Sequence, residues 1–117
     1  MSAQPGCIFC RIAEGSVEAD VVHATDEVVA FRDTTPRAPV HVLLIPRDHV
    51  TSVRELRPDH GDMLAELFRS AARIARAEGI DEGGWRVVTN VGSDAGQSVQ
   101  HLHFHLLGGR RMGWPPG

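Results

Sequence analysis

The chain has 117 residues, 42% of them apolar and 23% charged, with twelve basic against fifteen acidic side chains and a net charge of −3. That size and balance fit one small globular domain, residues 1–117, with a single core and no room for a second catalytic unit. All twelve basic residues are arginine, which excludes Schiff-base lysine chemistry and Walker A or kinase-type ATP lysines, and no basic run longer than Arg110-Arg111 marks a nucleic-acid footprint.

Taken in chain order, Cys7 to Glu14 reads as a short helix with Ile8, Phe9 and Ile12 as its apolar stripe and Gly15 as its stop. Residues 1–6 read as a flexible N-terminus. Val21-Val22 and Val28-Val29-Ala30-Phe31 are β-prone runs separated by Thr25-Asp26-Glu27, a hairpin pattern. Pro36 and Pro39 mark a loop before Val40-His41-Val42-Leu43-Leu44-Ile45, a buried strand ended by Pro46. From Asp59 to Glu78, Met63, Leu64, Leu67, Phe68, Ala71, Ala72, Ile74 and Ala75 recur at helical spacing, with Pro58 in the first turn and Gly79 beyond the end. Trp85 to Thr89 is the next strand, Asn90 to Gln97 a polar, glycine-containing loop, and the last strand runs from about Val99 to Leu107. Strands gathered around one long helix, with connections too short for repeated parallel crossovers, predict an α+β domain with a mainly antiparallel sheet. The opening residues lack a positive region followed by an apolar stretch, and Val42-Leu43-Leu44-Ile45 is too short to cross a bilayer. A soluble, cytoplasmic protein with no membrane partner is expected.

The informative segment is His101-Leu102-His103-Phe104-His105-Leu106. On a strand, alternate side chains share a face, so three imidazoles roughly 6.5–7 Å apart line one side while Leu102, Phe104 and Leu106 enter the core. Imidazole is the side chain that serves as nucleophile, base or acid near neutral pH, and packing three together opposes charging all of them. Two chemistries remain open on these residues: nucleophilic catalysis by a neutral imidazole, and a metal site using alternate histidines. The preceding loop, Asn90-Val91-Gly92-Ser93-Asp94-Ala95-Gly96-Gln97-Ser98, offers N–H groups suited to an anion and leads directly into the histidines.

Gly96-Gln97-Ser98-Val99-Gln100-His101-Leu102-His103-Phe104-His105-Leu106-Leu107 resembles the signature of the histidine triad superfamily. So, in the same order, do Ile8-Phe9, Ala30-Phe31-Arg32-Asp33, Ala38-Pro39-Val40-His41 and Ile45-Pro46-Arg47-Asp48-His49. The ending Gly108-Gly109-Arg110-Arg111-Met112-Gly113-Trp114-Pro115-Pro116-Gly117 looks like that of its nucleotide-binding protein (Hint) branch. The resemblance implies a five-stranded antiparallel sheet with one long helix and a short N-terminal helix, pairing as a homodimer into ten strands, with residues 108–117 as a tail at the dimer interface. It implies a purine nucleoside phosphoramidase that cleaves AMP–N or GMP–N conjugates through a nucleotidyl-histidine, needing no cofactor for the chemistry. His103 is the implied nucleophile and His105 the phosphate contact. His101 supports the triad, His41 helps orient the nucleophile, and Ser98 serves the leaving nitrogen. Asn90 lines the phosphate site beside Gly96 and Gln97, Asp33 accepts the ribose hydroxyls, and Ile8, Phe9, Val17 and Phe31 form the base slot. Trp114 is a specificity contact in trans. A glutamine marks the family's transferases at the third triad position, so His105 favours hydrolysis. The alternatives are a nucleotide-binding or scaffold protein with incidental hydrolysis, a dinucleoside polyphosphate hydrolase, and a metallohydrolase.

Cys7 and Cys10 are the only cysteines. A redox pair lacks its usual βαβ setting and a disulfide lacks an oxidising compartment, leaving zinc or two bystander thiols. Zinc-bearing relatives of the superfamily imply Cys7, Cys10, His49 and His101 as the ligand set, with a structural role.

Overall fold

The computed structural model describes residues 3–117. Seven elements follow in order: α1 (Ile8–Ala13), β1 (Val21–Ala24), β2 (Val28–Arg32), β3 (Val40–Pro46), α2 (Gly61–Ala77), β4 (Trp85–Val88) and β5 (Phe104–Gly108). The strands form one sheet in the order β1-β2-β3-β5-β4, with every neighbouring pair antiparallel. The α+β architecture, the hairpin and the two helices match the expectation. Of the expected flexible segment 1–6, residues 1 and 2 lie outside the described residues, and Gln4 is tied to α1 by its carbonyl to the Cys7 N–H at 3.0 Å.

Register assigns the two faces. Val28, Ala30, Val42, Leu44, Phe104 and Leu106 lie on one side and pack with Leu67, Ala71, Ile74 and Ala75 of α2. The other side carries Val29, Phe31, Leu43 and Ile45, which pack with Phe9 of α1. Both faces are covered, which is why β2 and β3 read as unbroken apolar runs and not as alternation. Leu102, Phe104 and Leu106 join the α2 side as expected, leaving His105 opposite, paired in register with Leu43 and Val88.

Two boundaries and the burial of one residue differ from the sequence pattern. The turn at Pro58–His60 is a separate 3₁₀ turn and α2 itself starts at Gly61, a shift of the size helix ends commonly show. Phe68, expected on the buried stripe, is 51% exposed and only overlaps Phe104 at the rim, with ring centroids 5.0 Å apart; Ser70 takes the core position. The last strand begins at Phe104, not at Val99. Residues 99–103 turn away from the sheet because Leu102 N–H donates to Val50 O at 2.6 Å and His101 is drawn into a buried cluster beside His49.

Two contacts fix the ends of the sheet. Arg32 forms a two-pronged bond to Glu78 at 2.9 and 3.0 Å, pinning the end of α2 to β2. Ile80 packs directly over Gly108, where a Cβ would collide with its Cδ1.

Candidate active site

Between α1 and the sheet lies a cavity of about 700 Å³. Ile8, Phe9, Val17, Phe31, Leu43 and Val99 make its apolar end; Asp33, Ser98, His103 and His105 make its polar end. Phe9 and Phe31 meet edge to face at 5.5 Å, which holds the slot open as a fixed shape.

The polar end is ordered by hydrogen bonds whose directions follow from their partners. A carbonyl can only accept, so the 2.7 Å contact from His103 Nδ1 to His101 O places the His103 proton on Nδ1. Its Nε2 then carries the lone pair. The His103 carbonyl is itself held by the Thr89 hydroxyl at 2.9 Å, so the nucleophile candidate is fixed from both its ring and its backbone. A parallel argument fixes its neighbour. Arg37 N–H donates to His41 Nδ1 at 3.0 Å, so the His41 proton is on Nε2, 2.9 Å from His105 Nδ1 and 3.3 Å from Asp33 Oδ2. Accepting at Nδ1 leaves His105 with an Nε2–H donor. The rings of His103 and His105 are 5.2 Å apart, so a lone pair and a proton donor stand side by side in the cavity.

Electrostatics keeps His105 and His41 neutral. Burial, with the imidazoles of His103 and His41, pushes His105 down to about 4 against the opposing pull of Asp33. Burial also lowers His41, outweighing Asp33, while Arg37 adds to the depression. The His41–Asp33 contact is therefore a neutral N–H···O bond and not an ion pair.

Among the described residues, two groups of side chains have metal-compatible spacing: Cys7, Cys10, His49 and His101, and Asp33, His41 and His105. The second fails on chemistry, because His41 Nδ1 accepts a proton-bearing N–H and its Nε2 cannot at once be a proton carrier and a ligand. The first fits. His101 gives its Nε2–H to Pro46 O at 2.9 Å, which frees Nδ1 toward Cys7 Sγ at 3.3 Å and Cys10 Sγ at 3.5 Å; His49 Nδ1 lies 3.4 Å from Cys10 Sγ. Tetrahedral zinc bonds imply nitrogen–sulfur separations of about 3.6 Å, close to these. Backbone N–H groups of Gln4 and Cys10 point at the two sulfurs, and the Pro46 carbonyl fixes the ring, as outer partners of metal ligands commonly do. Burial lowers His101 to about 4 and lowers His49, so both rings offer lone pairs near neutral pH.

Other expected site residues stand elsewhere. His101 shares the α1 side of the sheet with His103 and His105, but its ring belongs to the cysteine cluster and its carbonyl serves His103. His41 reaches His105, not the nucleophile candidate. Gln97 spends its amide on Gly92 N–H, Thr51 O and Val99 O, and Gly96, at φ +82°, turns the loop, so both shape it without lining the cavity. The Gly96 and Gln97 N–H groups go to Ser93 O and Gly92 O and do not cradle an anion. Asn90 is half-buried after β4, also off the cavity wall. Trp114 is 82% exposed, with the Arg86 guanidinium 5.9 Å from its ring. Leu43, Val99 and Thr89 were not anticipated; Leu43 is two residues from His41 on one strand face, a spacing that points to it once the face is known.

The sequence model of a family described as "Scavenger mRNA decapping enzyme C-term binding" matches residues 6–113. The chain is 46% identical to a "HIT family hydrolase" of known structure from Legionella pneumophila Philadelphia 1, with a TM-score of 0.94 over 96% of this chain and all of that one. The chain belongs to the histidine triad family. Within it, the chain is 42% identical over 106 residues to the "Purine nucleoside phosphoramidase" of Escherichia coli (strain K12), covering 91% of this chain and 89% of that protein. It is 47% identical over 112 residues to the "14 kDa zinc-binding protein" of Brassica juncea, covering 94% and 98%. It is also 46% identical over 112 residues to the "Adenylylsulfatase HINT1" of Arabidopsis thaliana, covering 94% of this chain and 76% of that protein, and with these relatives the chain falls in the Hint branch of the family.

Proposed function

We propose that this histidine triad protein is a purine nucleoside phosphoramidase that cleaves the P–N bond of AMP or GMP conjugates through a nucleotide bonded to His103. The observation that carries this reading is the 2.7 Å bond from His103 Nδ1–H to His101 O, which leaves Nε2 as a lone pair facing the cavity.

The purine enters the slot between Ile8, Phe9 and Phe31, where contact with ring faces favours either purine. Asp33 takes the ribose hydroxyls as a paired acceptor, its other contacts being the Thr35 N–H at 2.8 Å and His41. His103 Nε2 then attacks the α-phosphorus, forming an N–P bond as the P–N bond of the conjugate breaks. The His105 Nε2–H donates to a phosphate oxygen, whose charge grows at the transition state. Ser98 Oγ–H supplies the proton to the leaving amine. In the second step a water oxygen attacks phosphorus, the N–P bond returns its electron pair to His103, and the proton of the water restores Ser98. One difficult displacement becomes two easier ones.

Zinc at Cys7, Cys10, His49 and His101 would be structural, since all four positions are filled by protein ligands and none is left for a water or substrate. The expected homodimer is supported by β4, an edge strand beside which the tail folds through Arg86 to Gly113 O at 3.1 Å. Pairing two such edges makes a ten-stranded sheet, with Trp114 near the partner's cavity. Two free thiols suit the reducing cytoplasm, and no helix among the described residues is long and apolar enough to cross a membrane.

Turnover of adenosine 5′-monophosphoramidate by His103→Ala tests the reading. AMP release is expected to vanish while AMP binding survives; retained turnover would overturn it.

A further inference from the structure

We propose that Cys7, Cys10, His49 and His101 are positioning residues for the nucleotide cavity, so that Zn²⁺ binding at this cluster and nucleotide binding in the cavity strengthen each other. The proposal rests on the nucleotide reading above and adds a coupling that neither site implies alone.

Three connections join the two sites. The first runs along the chain. Ile8 and Phe9 form part of the cavity wall, and they lie between the two thiols in a six-residue helix. A helix of that length does not persist on its own and takes its place from what it is fastened to. Its fastenings are the sulfurs toward His101 and His49, Phe9, Ile12 and Ala13 in the apolar cluster, the contacts of Gln4 with Cys7 and Cys10, and Arg47 Nη1 to Ala13 O at 2.8 Å.

The second runs through aromatic contact. The Phe9 ring stands edge to face against His101, in the cluster, and against His103, in the cavity, with centroids at 5.9 and 5.0 Å. The third runs through one residue. His101 offers its ring to the cluster and its carbonyl to His103 Nδ1, so a rotation at residue 101 disturbs the bond that sets the His103 tautomer.

With protons alone the cluster is frustrated. With its proton held on Nε2 by Pro46 O, His101 Nδ1 has one lone pair, and two thiols, Cys7 and Cys10, compete to donate to it. Four metal–ligand bonds replace this competition, and the cost of ordering α1 and residues 99–103 is then met before the nucleotide arrives. A nucleotide entering a wall already in place binds more tightly, and linkage requires the same factor in reverse.

The experiment measures AMP binding by calorimetry to the full chain, once freed of metal by chelation and once loaded with Zn²⁺, with circular dichroism on both samples. Zn²⁺ is expected to tighten AMP by about tenfold, within the usual range of such couplings, and saturating AMP is expected to tighten Zn²⁺ equally in a chelator competition. Equal AMP affinity of the two folded forms overturns the proposal, since a metal that only raises stability leaves that affinity unchanged. If neither form binds AMP, the nucleotide reading fails and the coupling with it, a result distinct from equal binding. Should the metal-free chain not fold, His49→Ala takes its place: it removes one ligand and leaves both thiols and His101. Weakened Zn²⁺ binding with AMP affinity falling in step supports the coupling; weakened Zn²⁺ binding with AMP affinity unchanged refutes it.

Discussion

Replacing His41 by leucine tests the hydrogen-bond chain behind the phosphate donor. His41 Nε2–H lies 2.9 Å from His105 Nδ1, and that bond makes His105 an Nε2–H donor toward the cavity. Leucine keeps the volume, removes the donor, and leaves a half-buried imidazole nitrogen without its partner. An unsatisfied buried acceptor costs about 1–3 kcal/mol, and both His105 Nδ1 and Asp33 Oδ2 lose the His41 proton, so His105 recovers the loss by carrying its own proton on Nδ1 toward Asp33, away from phosphate. If the donor is needed as charge grows on the phosphate oxygens, kcat for a nucleoside phosphoramidate falls about tenfold to a hundredfold. KM changes less than kcat, because the base slot and the His103 lone pair are untouched and Asp33, which loses its His41 contact, is still held by the Thr35 N–H. His41→Gln, whose amide N–H reaches about as far as Nε2, is expected to recover most of the loss. Steady-state kinetics with a thermal melt on each variant decides the matter. Wild-type kcat in His41→Leu, or glutamine performing no better than leucine in folded protein, would refute the hydrogen-bond argument.

His105 is held at about 4 against an ordinary 6.5, so the folded state resists a proton that the unfolded chain accepts. The His105 share of the stability is therefore complete above pH 6.5 and is lost as pH falls toward 4, by on the order of 3 kcal/mol; urea midpoints will show a shallower decline in His105→Asn than in wild type, the slope that remains coming from His101, His41 and His49, whose values are lowered too. Gly108→Ala places a methyl against Ile80 Cδ1 and is expected to cost about 1–3 kcal/mol by urea denaturation, with an unchanged midpoint contradicting the close approach.

How far the sequence was readable depended on what kind of information each feature needed. Alternation at Leu102, Phe104 and Leu106 marked the core face before any fold was known, because strand periodicity is local. The same reasoning stretched the last strand back to Val99. What ends it is the Leu102–Val50 bond and the cluster that draws His101 to Cys7 and Cys10, 94 and 91 residues away in the chain, contacts that no local pattern carries. Phe68 satisfied the helical spacing, yet α2 is wider than its contact with the sheet, so a residue at the stripe's edge is left 51% exposed. The loop 90–98 had the composition of an anion cradle, but the N–H groups of Gly92, Gly96 and Gln97 are bonded within the loop itself. His41 could be joined to the site by resemblance; that it serves His105 required the pairing of β3 with β5, which puts the two on one face.

The most direct test of the chemistry is to mix the protein briefly with adenosine 5′-monophosphoramidate, quench it, weigh the intact chain and map the modified peptide. One adenylyl group on His103 Nε2 is the expected result, absent in His103→Ala. An adduct on His101 or His105, or full turnover through a burst-free reaction with no adduct at any time point, would contradict attack by the residue 103 imidazole.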